Sequence, residues 1–334
     1  MGGKALNKYG VFTERKNTAE FKEIGYKLGN RVFYDLLFHT SVVKCYHTKA
    51  DHGDLDLLIR VPAGSNINWV DYIRNTFKPN AINANGGVYS FDYQGFQVDF
   101  IPIPEEKWDT ALVYFSYDPL GNIMGKTYHK FNLSYGWEGL YYKFRNFNGV
   151  NSQDILISNN VEKIFKFGGY DYDRYTKGFN TLEEIFKFCI DGSYFDSDMF
   201  KMENLKHIDK KRNRKRGSYH LFLNYLKDNN INVSYPFSKD KTDYLDMIDK
   251  FFPEAGLKQK LCELKKDDAR KKMIKQKFNG DIVMLWLPNL QGKELGAAMA
   301  KFKENLGDYY DDFIINNNYD TIKNHFFNVY AGLE

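Results

Sequence analysis

The chain predicts an α+β fold, with a mixed sheet and its helices in the first half and a mainly helical C-terminal region behind it. Three observations point there. Apolar residues recur at helical spacing near the start, and short β-rich apolar runs, some closed by Gly-containing turns, fill residues 55–103. Beyond about residue 149 those runs give way to short helical patterns separated by Gly, Asn and Asp.

Taken in order, a short polar lead precedes an amphipathic helix over residues 17–38, where Phe21, Ile24, Leu28, Val32 and Leu36 share a face. Asn17 followed by Glu20 has the spacing of a capping box. A strand is expected over 55–61 and a second helix over 69–77. Asn85-Gly86-Gly87 signals a turn, and 88–93, Gln94-Gly95 and 96–103 read as a hairpin, with Pro102 and Pro104 ending its second strand. Downstream come a basic run within 206–216, a long charged helix over 257–278 and a helix start at 292–296. With 334 residues there is room for about two domains, drawn as 1–148 and 149–334.

Apolar residues make up 43% of the chain, enough for a real core, and the net charge of +4 is too small to identify a nucleic-acid partner by itself. Cys45, Cys189 and Cys262 are far apart and odd in number, so neither a zinc site nor a disulfide framework is expected. No stretch has the apolar length of a signal peptide or a membrane span. The expectation is a soluble, cytoplasmic protein with no membrane partner.

The sharpest local feature is Gly53-Asp54-Leu55-Asp56-Leu57-Leu58-Ile59. Residues two apart on a strand project from one face, so Asp54 and Asp56 present their carboxylates side by side. Such a pair in an apolar strand is costly unless a cation sits between the charges. Asp99, in Gln97-Val98-Asp99-Phe100-Ile101, raises the same question on another apolar strand. Three carboxylates on adjacent strands suit two magnesium ions, hard cations with oxygen ligands, for which manganese can substitute. Two such ions about 3.5–4 Å apart can activate a hydroxyl and stabilise a leaving pyrophosphate.

His39-Thr40-Ser41, then Gly53-Asp54-Leu55-Asp56, then Val98-Asp99-Phe100 resembles the DNA polymerase β nucleotidyltransferase superfamily, with its palm-type mixed sheet. The resemblance implies that Asp54 and Asp56 bind both metals, and that Asp99 binds the catalytic one and helps deprotonate an acceptor 3′-hydroxyl. It also implies that Thr40, Ser41 and Gly53 belong to the triphosphate site, Ser41 holding phosphate at a helix start. Lys44 stands where these polymerases carry a phosphate-binding Arg. Val113-Tyr114-Phe115-Ser116 is similar to the segment that abuts the sugar, so Tyr114 and Phe115 are candidate sugar-gate residues. Asn122 and Lys126 fall at the spacings of the base-contacting Asn and the template-side Arg. Departures are Thr40 and Tyr117 in place of Gly, Pro119 in place of Asp, and Lys126 in place of Arg.

In the second half, Lys210, Lys211, Arg212, Arg214, Lys215 and Arg216 crowd six cations into seven residues, suited to a phosphate backbone. Tyr219 and His220, just after, are candidates to stack on a base. Gln291-Gly292-Lys293-Glu294-Leu295-Gly296 looks like a helix start of CCA-adding enzymes and poly(A) polymerases, as does the order of a palm followed by helices. The leading expectation is a nucleotidyltransferase that adds nucleoside monophosphates from (d)NTPs to a DNA or RNA 3′ end, with DNA and RNA both open. Two alternatives stand beside it. One is a transferase of the same fold acting on a small molecule or protein, against which the basic run argues. The other is an inactive nucleic-acid-binding module, against which the three acids argue.

Overall fold

The structure, a computed structural model, describes residues 3–332, giving the backbone alone for Asn151 and Ser152. It is α+β and divides into two compact units, Met1–Lys143 with Ile155–Ala255, and Phe144–Asp154 with Gly256–Glu334. No helix among the described residues is long and apolar enough to cross a membrane.

In the first unit, β1 (Lys16–Asn17) leads directly into α1 (Thr18–Leu36). The Asn17 side chain accepts from the Glu20 N–H while Glu20 reaches back to the Asn17 N–H, so the capping box is real. Next come β2 (Thr40–Val42), β3 (Asp51–His52), β4 (Asp54–Val61), α2 (Trp69–Phe77), β5 (Ile82–Asn85), β6 (Val88–Tyr93) and β7 (Phe96–Pro104). Five of these strands form one mixed sheet in the order β2-β4-β7-β6-β5. Only β4 and β7 run parallel within it.

The sheet's two faces follow from the period of two. Leu55, Leu57 and Ile59 of β4, with Val98 and Phe100 of β7, pack under Phe21, Ile24, Leu28 and Val32 of α1 and Trp69 and Ile73 of α2. Glycine brings α1 close: a Cβ on Gly25 would stand 2.7 Å from Val42 Cγ2, and one on Gly29 2.7 Å from Thr40 Oγ1. On the other face Leu58, Ile101 and Ile103 pack against Ala111 and Phe115 of α3 (Trp108–Phe115).

Two sequence expectations need correction here. Pro102 does not end β7, which runs on through it to Pro104. Pairing with β6 stops at Phe100, so Pro102 has a strand neighbour on one side only and its missing N–H is tolerated. Nor do strands fade at 149. After α4 (Leu120–His129), strands β8 (Leu133–Gly136), β9 (Gly139–Arg145) and β10 (Asn151–Ser158) form a three-stranded sheet in the order β10-β9-β8. The polar start of β10 hid it from a hydrophobicity reading.

Short helices complete the first unit: α5 (Val161–Gly168), α6 (Tyr172–Thr176), α7 (Leu182–Ile190), α8 (His207–Asn213), α9 (Gly217–Asp228) and α10 (Leu245–Phe251). The second unit holds α11 (Leu257–Lys277), α12 (Gly280–Trp286), α13 (Gly292–Leu306), α14 (Tyr310–Asn316) and α15 (Tyr319–Ala331), around Phe278, Val283, Phe302, Ile314 and Phe326. The helix start expected at Gly292 opens α13, whose Leu295 and Met299 pack on this core.

Replacing Gly25 with Val should cost about 1–3 kcal/mol of stability, because the new side chain overpacks the contact of α1 with Val42 and Leu55. Urea unfolding of the first unit measures it, and an unchanged midpoint would mean that α1 is not seated tightly on the sheet.

Candidate active site

Parallel pairing of β4 with β7 sets Asp56 opposite Asp99 and Asp54 opposite Gln97. By the alternation described above, all four side chains lie on the face that continues into Leu58, Ile101 and α3. The three carboxylates are half-buried, and among the described residues none has an ion-pair partner. Asp54 Oδ2 accepts from the Gly3 N–H at 3.3 Å. Gln97 Nε2 donates to Asp99 Oδ1 at 3.0 Å and Oδ2 at 3.2 Å.

Crowding shows in proton affinity. Burial first, then the charges of Asp99 and Asp54, hold Asp56 well above the usual carboxylate range, with Lys49 opposing them. Asp99 is pushed up to about 6 by burial, with Asp54 adding to the rise, while hydrogen bonds from Ser90 and Gln97 restrain it. As donors they suit a hard divalent cation, being all oxygen and formally anionic. Among the described residues no three His, Cys, Asp or Glu side chains yet converge as a metal-binding group. The backbone therefore supplies register and face, and side-chain torsions remain to close the set around an ion.

The proposed triphosphate residues sit beside this face but not as expected. Ser41 is not at a helix start: it lies within β2, opposite Leu58 of β4, because α1 precedes this strand and no helix follows it. Residues directly opposite across a ladder share a face, so Ser41 shares that of Leu58, Asp56 and Asp54. Thr40 shares the opposite face with Ile59, under α1 at Gly29. Gly53 is buried immediately before Asp54, and Lys44 is exposed, its carbonyl accepting from the Tyr117 N–H at 2.8 Å.

Tyr114 and Phe115 end α3, their rings edge to face at 5.5 Å, and Phe115 packs into the apolar continuation of the acid face. Gly121, at the start of α4, permits close approach to Tyr114, since a Cβ there would stand 2.6 Å from its carbonyl oxygen. Tyr117, found where the resembled family has Gly, does adopt the left-handed conformation, with φ of 59°. Its buried ring is held edge-on by Tyr175 at 5.5 Å and Phe179 at 4.9 Å. On α4, Asn122 Nδ2 is buried with no hydrogen-bond partner.

Lys126 lies over the Tyr219 ring at 5.4 Å. Burial lowers its proton affinity, Asp209 opposes this, and Arg216 and Arg212 add to the lowering. The basic run is therefore near α4 within the first unit. Lys210, Lys211 and Arg212 lie on α8, with Arg214, Lys215 and Arg216 between α8 and α9. Four of the six are exposed, and no ion pair engages any of them among the described residues. Tyr219 is not available for base stacking: it is fully buried and its hydroxyl donates to the Phe200 carbonyl. His220 is exposed.

Three residues beside the acids had no prominent sequence signal: Gln97, Lys49 and Gly3. For Gln97 the available signal was a polar residue two positions before Asp99 in an otherwise apolar strand.

No protein-family model matches the chain, and no curated protein matches it. Among solved structures, it is similar to the ternary P/T complex of Leishmania infantum polymerase beta, with 14% identity, a TM-score of 0.35, and coverage of 47% of this chain and 74% of that one. The ternary gap complex of the same polymerase gives 16% identity and a TM-score of 0.33, covering 39% of this chain and 52% of that one. Likenesses this partial carry no weight for function, which rests on the acids and what surrounds them.

The raised proton affinity of Asp99 has a consequence for stability. The unfolded carboxylate ionises near 3.8 and the folded one near 6, so metal-free stability from this group is complete below 3.8 and lost as pH rises through 6. Asp99→Asn removes that loss. In EDTA the variant should melt higher than the parent at pH 7.5, with the difference shrinking towards zero near pH 4. A difference that does not vary with pH would refute the assigned shift.

Proposed function

We propose that the chain transfers nucleoside monophosphates from nucleoside triphosphates to a nucleic-acid 3′-hydroxyl with release of pyrophosphate, as DNA polymerases of the β type and RNA 3′-end polymerases do. The observation that carries this reading is the parallel register of Asp54, Asp56 and Asp99 on one face, half-buried and without an ion-pair partner. Left alone, three crowded carboxylates repel one another, and divalent cations relieve that cost.

Asp54 and Asp56 would hold two magnesium ions, or manganese in their place, and Asp99 one of them. Bound there, the metals supply Lewis acidity to the attacking hydroxyl and the leaving pyrophosphate. Asp99, on the neighbouring strand, is the residue assigned to take the acceptor hydroxyl's proton. Ser41, on the acid face, would donate its hydroxyl to the triphosphate, with Thr40 and Gly53 shaping the backbone nearby and Lys44 adding a point charge. Tyr114 and Phe115 are assigned to the sugar. The unpartnered Nδ2 of Asn122 supports a role in meeting the base, since a buried donor left alone is costly.

For the acceptor, the six unpaired cations of 210–216 support a nucleic-acid backbone, with Lys126 on the same side as Arg212 and Arg216. A polyanion would offset their mutual repulsion. In this reading residues 1–148 form the catalytic palm, residues 149–334 grip the nucleic acid, and the enzyme works in the cytoplasm.

The test is incubation with labelled DNA and RNA primers, with and without template, across separate dNTPs and NTPs. Asp54→Ala, Asp56→Ala and Asp99→Ala should each lower transfer by about 100-fold or more, on the scale of losing a charge-stabilising catalytic group. Robust transfer by the Asp54 and Asp56 variants would overturn the two-metal assignment.

A further inference from the structure

We propose that the segment Gly3–Leu6 is a positioning strap for the acids of β4 and β7, and that productive metal binding depends on it. The inference rests on the reading of Asp54, Asp56 and Asp99 as metal ligands.

Two backbone N–H groups of the segment reach the acid face. That of Gly3 donates directly to Asp54 Oδ2 at 3.3 Å. That of Ala5 donates to Gln97 Oε1 at 2.9 Å, and the other end of the same amide donates to both oxygens of Asp99. The Gln97 orientation is settled by its partners: a backbone N–H can only donate and an ionised carboxylate can only accept, so a flipped amide would be repelled at both ends. Gln97 is only 2% exposed, which leaves it no water to turn towards.

The strap is itself fixed. Leu6 is 1% exposed, and Thr13 Oγ1 donates to the Gly3 carbonyl at 2.9 Å. Gly3 has φ of +83°, and a Cβ there would stand 2.3 Å from the carbonyl oxygen of Gly53, the residue before Asp54. Only glycine fits both the conformation and the approach. Neutral N–H donors restrict the rotation of the carboxylates without cancelling their charge, leaving the remaining lone pairs for a cation. Hydrogen bonds of this outer kind orient ligands, and their loss typically weakens metal affinity about 10- to 100-fold. Gly3, Ala5 and Gln97 are thus positioning residues.

The experiment compares the full chain with Gly3→Val, which collides with Gly53 and leaves β7 untouched, and with Gln97→Leu, which removes both ends of the relay. Mn2+ affinity is measured by electron paramagnetic resonance, alongside melting temperature, the Mg2+ concentration for half-maximal transfer, and the primer KM. The strap predicts Mn2+ binding weakened about tenfold or more in both variants, with a matching rise in the Mg2+ requirement, an unchanged primer KM and a melting temperature within a few degrees of the parent. Parental Mn2+ affinity in Gly3→Val would overturn it, as would a rise in activity, which would make the segment a cover over the acids. A parent protein that binds no Mn2+ would instead overturn the metal-ligand reading itself, and this inference with it.

Discussion

Parallel pairing of β4 with β7 brings together two strands that each carry a carboxylate on the same face, and the elements around them answer to that charge. Neither strand is unusual alone, since an acid at a strand's start is ordinary. The register turns them into a problem, because Asp56 stands opposite Asp99 with Asp54 two residues away. Burial and like charge then raise proton affinity at Asp56 and Asp99. Such a face is either a persistent cost or a site for cations. The sheet accommodates it by confining the acids to one end of one face, while Leu58, Ile101 and Ile103 continue that face as core beneath α3.

The opposite face shows what permits this. Leu55, Leu57, Ile59, Val98 and Phe100 are all fully buried beneath α1 and α2, and Gly25 and Gly29 let α1 settle directly on β2. A tightly packed layer on one side holds the strands rigid enough to keep charged groups in register on the other, since close-packed interiors transmit strain instead of absorbing it. Hydrogen bonds from Gly3 and Gln97 then restrict two of the acids themselves.

Much of this was legible in the sequence. Asn17 and Glu20 announced the start of α1, α2 falls on its expected residues, and the Asp-x-Asp pair with the later strand acid pointed to the face before any coordinates. The failures have physical causes. Ser41 reads as a turn before a helix because a short β-branched run cannot be told from a helix approach by spacing alone, and its ladder partner Leu58 is 17 positions away. Pro102 reads as a strand end because composition does not reveal that β6 has already stopped. Tyr219 reads as a stacking ring, yet exposure is a tertiary property. Gly3 and Ala5 act through backbone N–H groups, which every residue but proline carries, so no side-chain pattern marks them.

The central claim is that Asp54, Asp56 and Asp99 together hold divalent metal. Crystals grown with Mn2+ and a non-hydrolysable nucleoside triphosphate analogue, with anomalous scattering recorded at the manganese edge, test it most directly. The account predicts two anomalous peaks about 3.5–4 Å apart. Both should be bonded to oxygens of Asp54 and Asp56 at about 2.1 Å, with Asp99 on one of them. Nucleotide bound with no anomalous peak on this face, or manganese held only at other carboxylates, would contradict it.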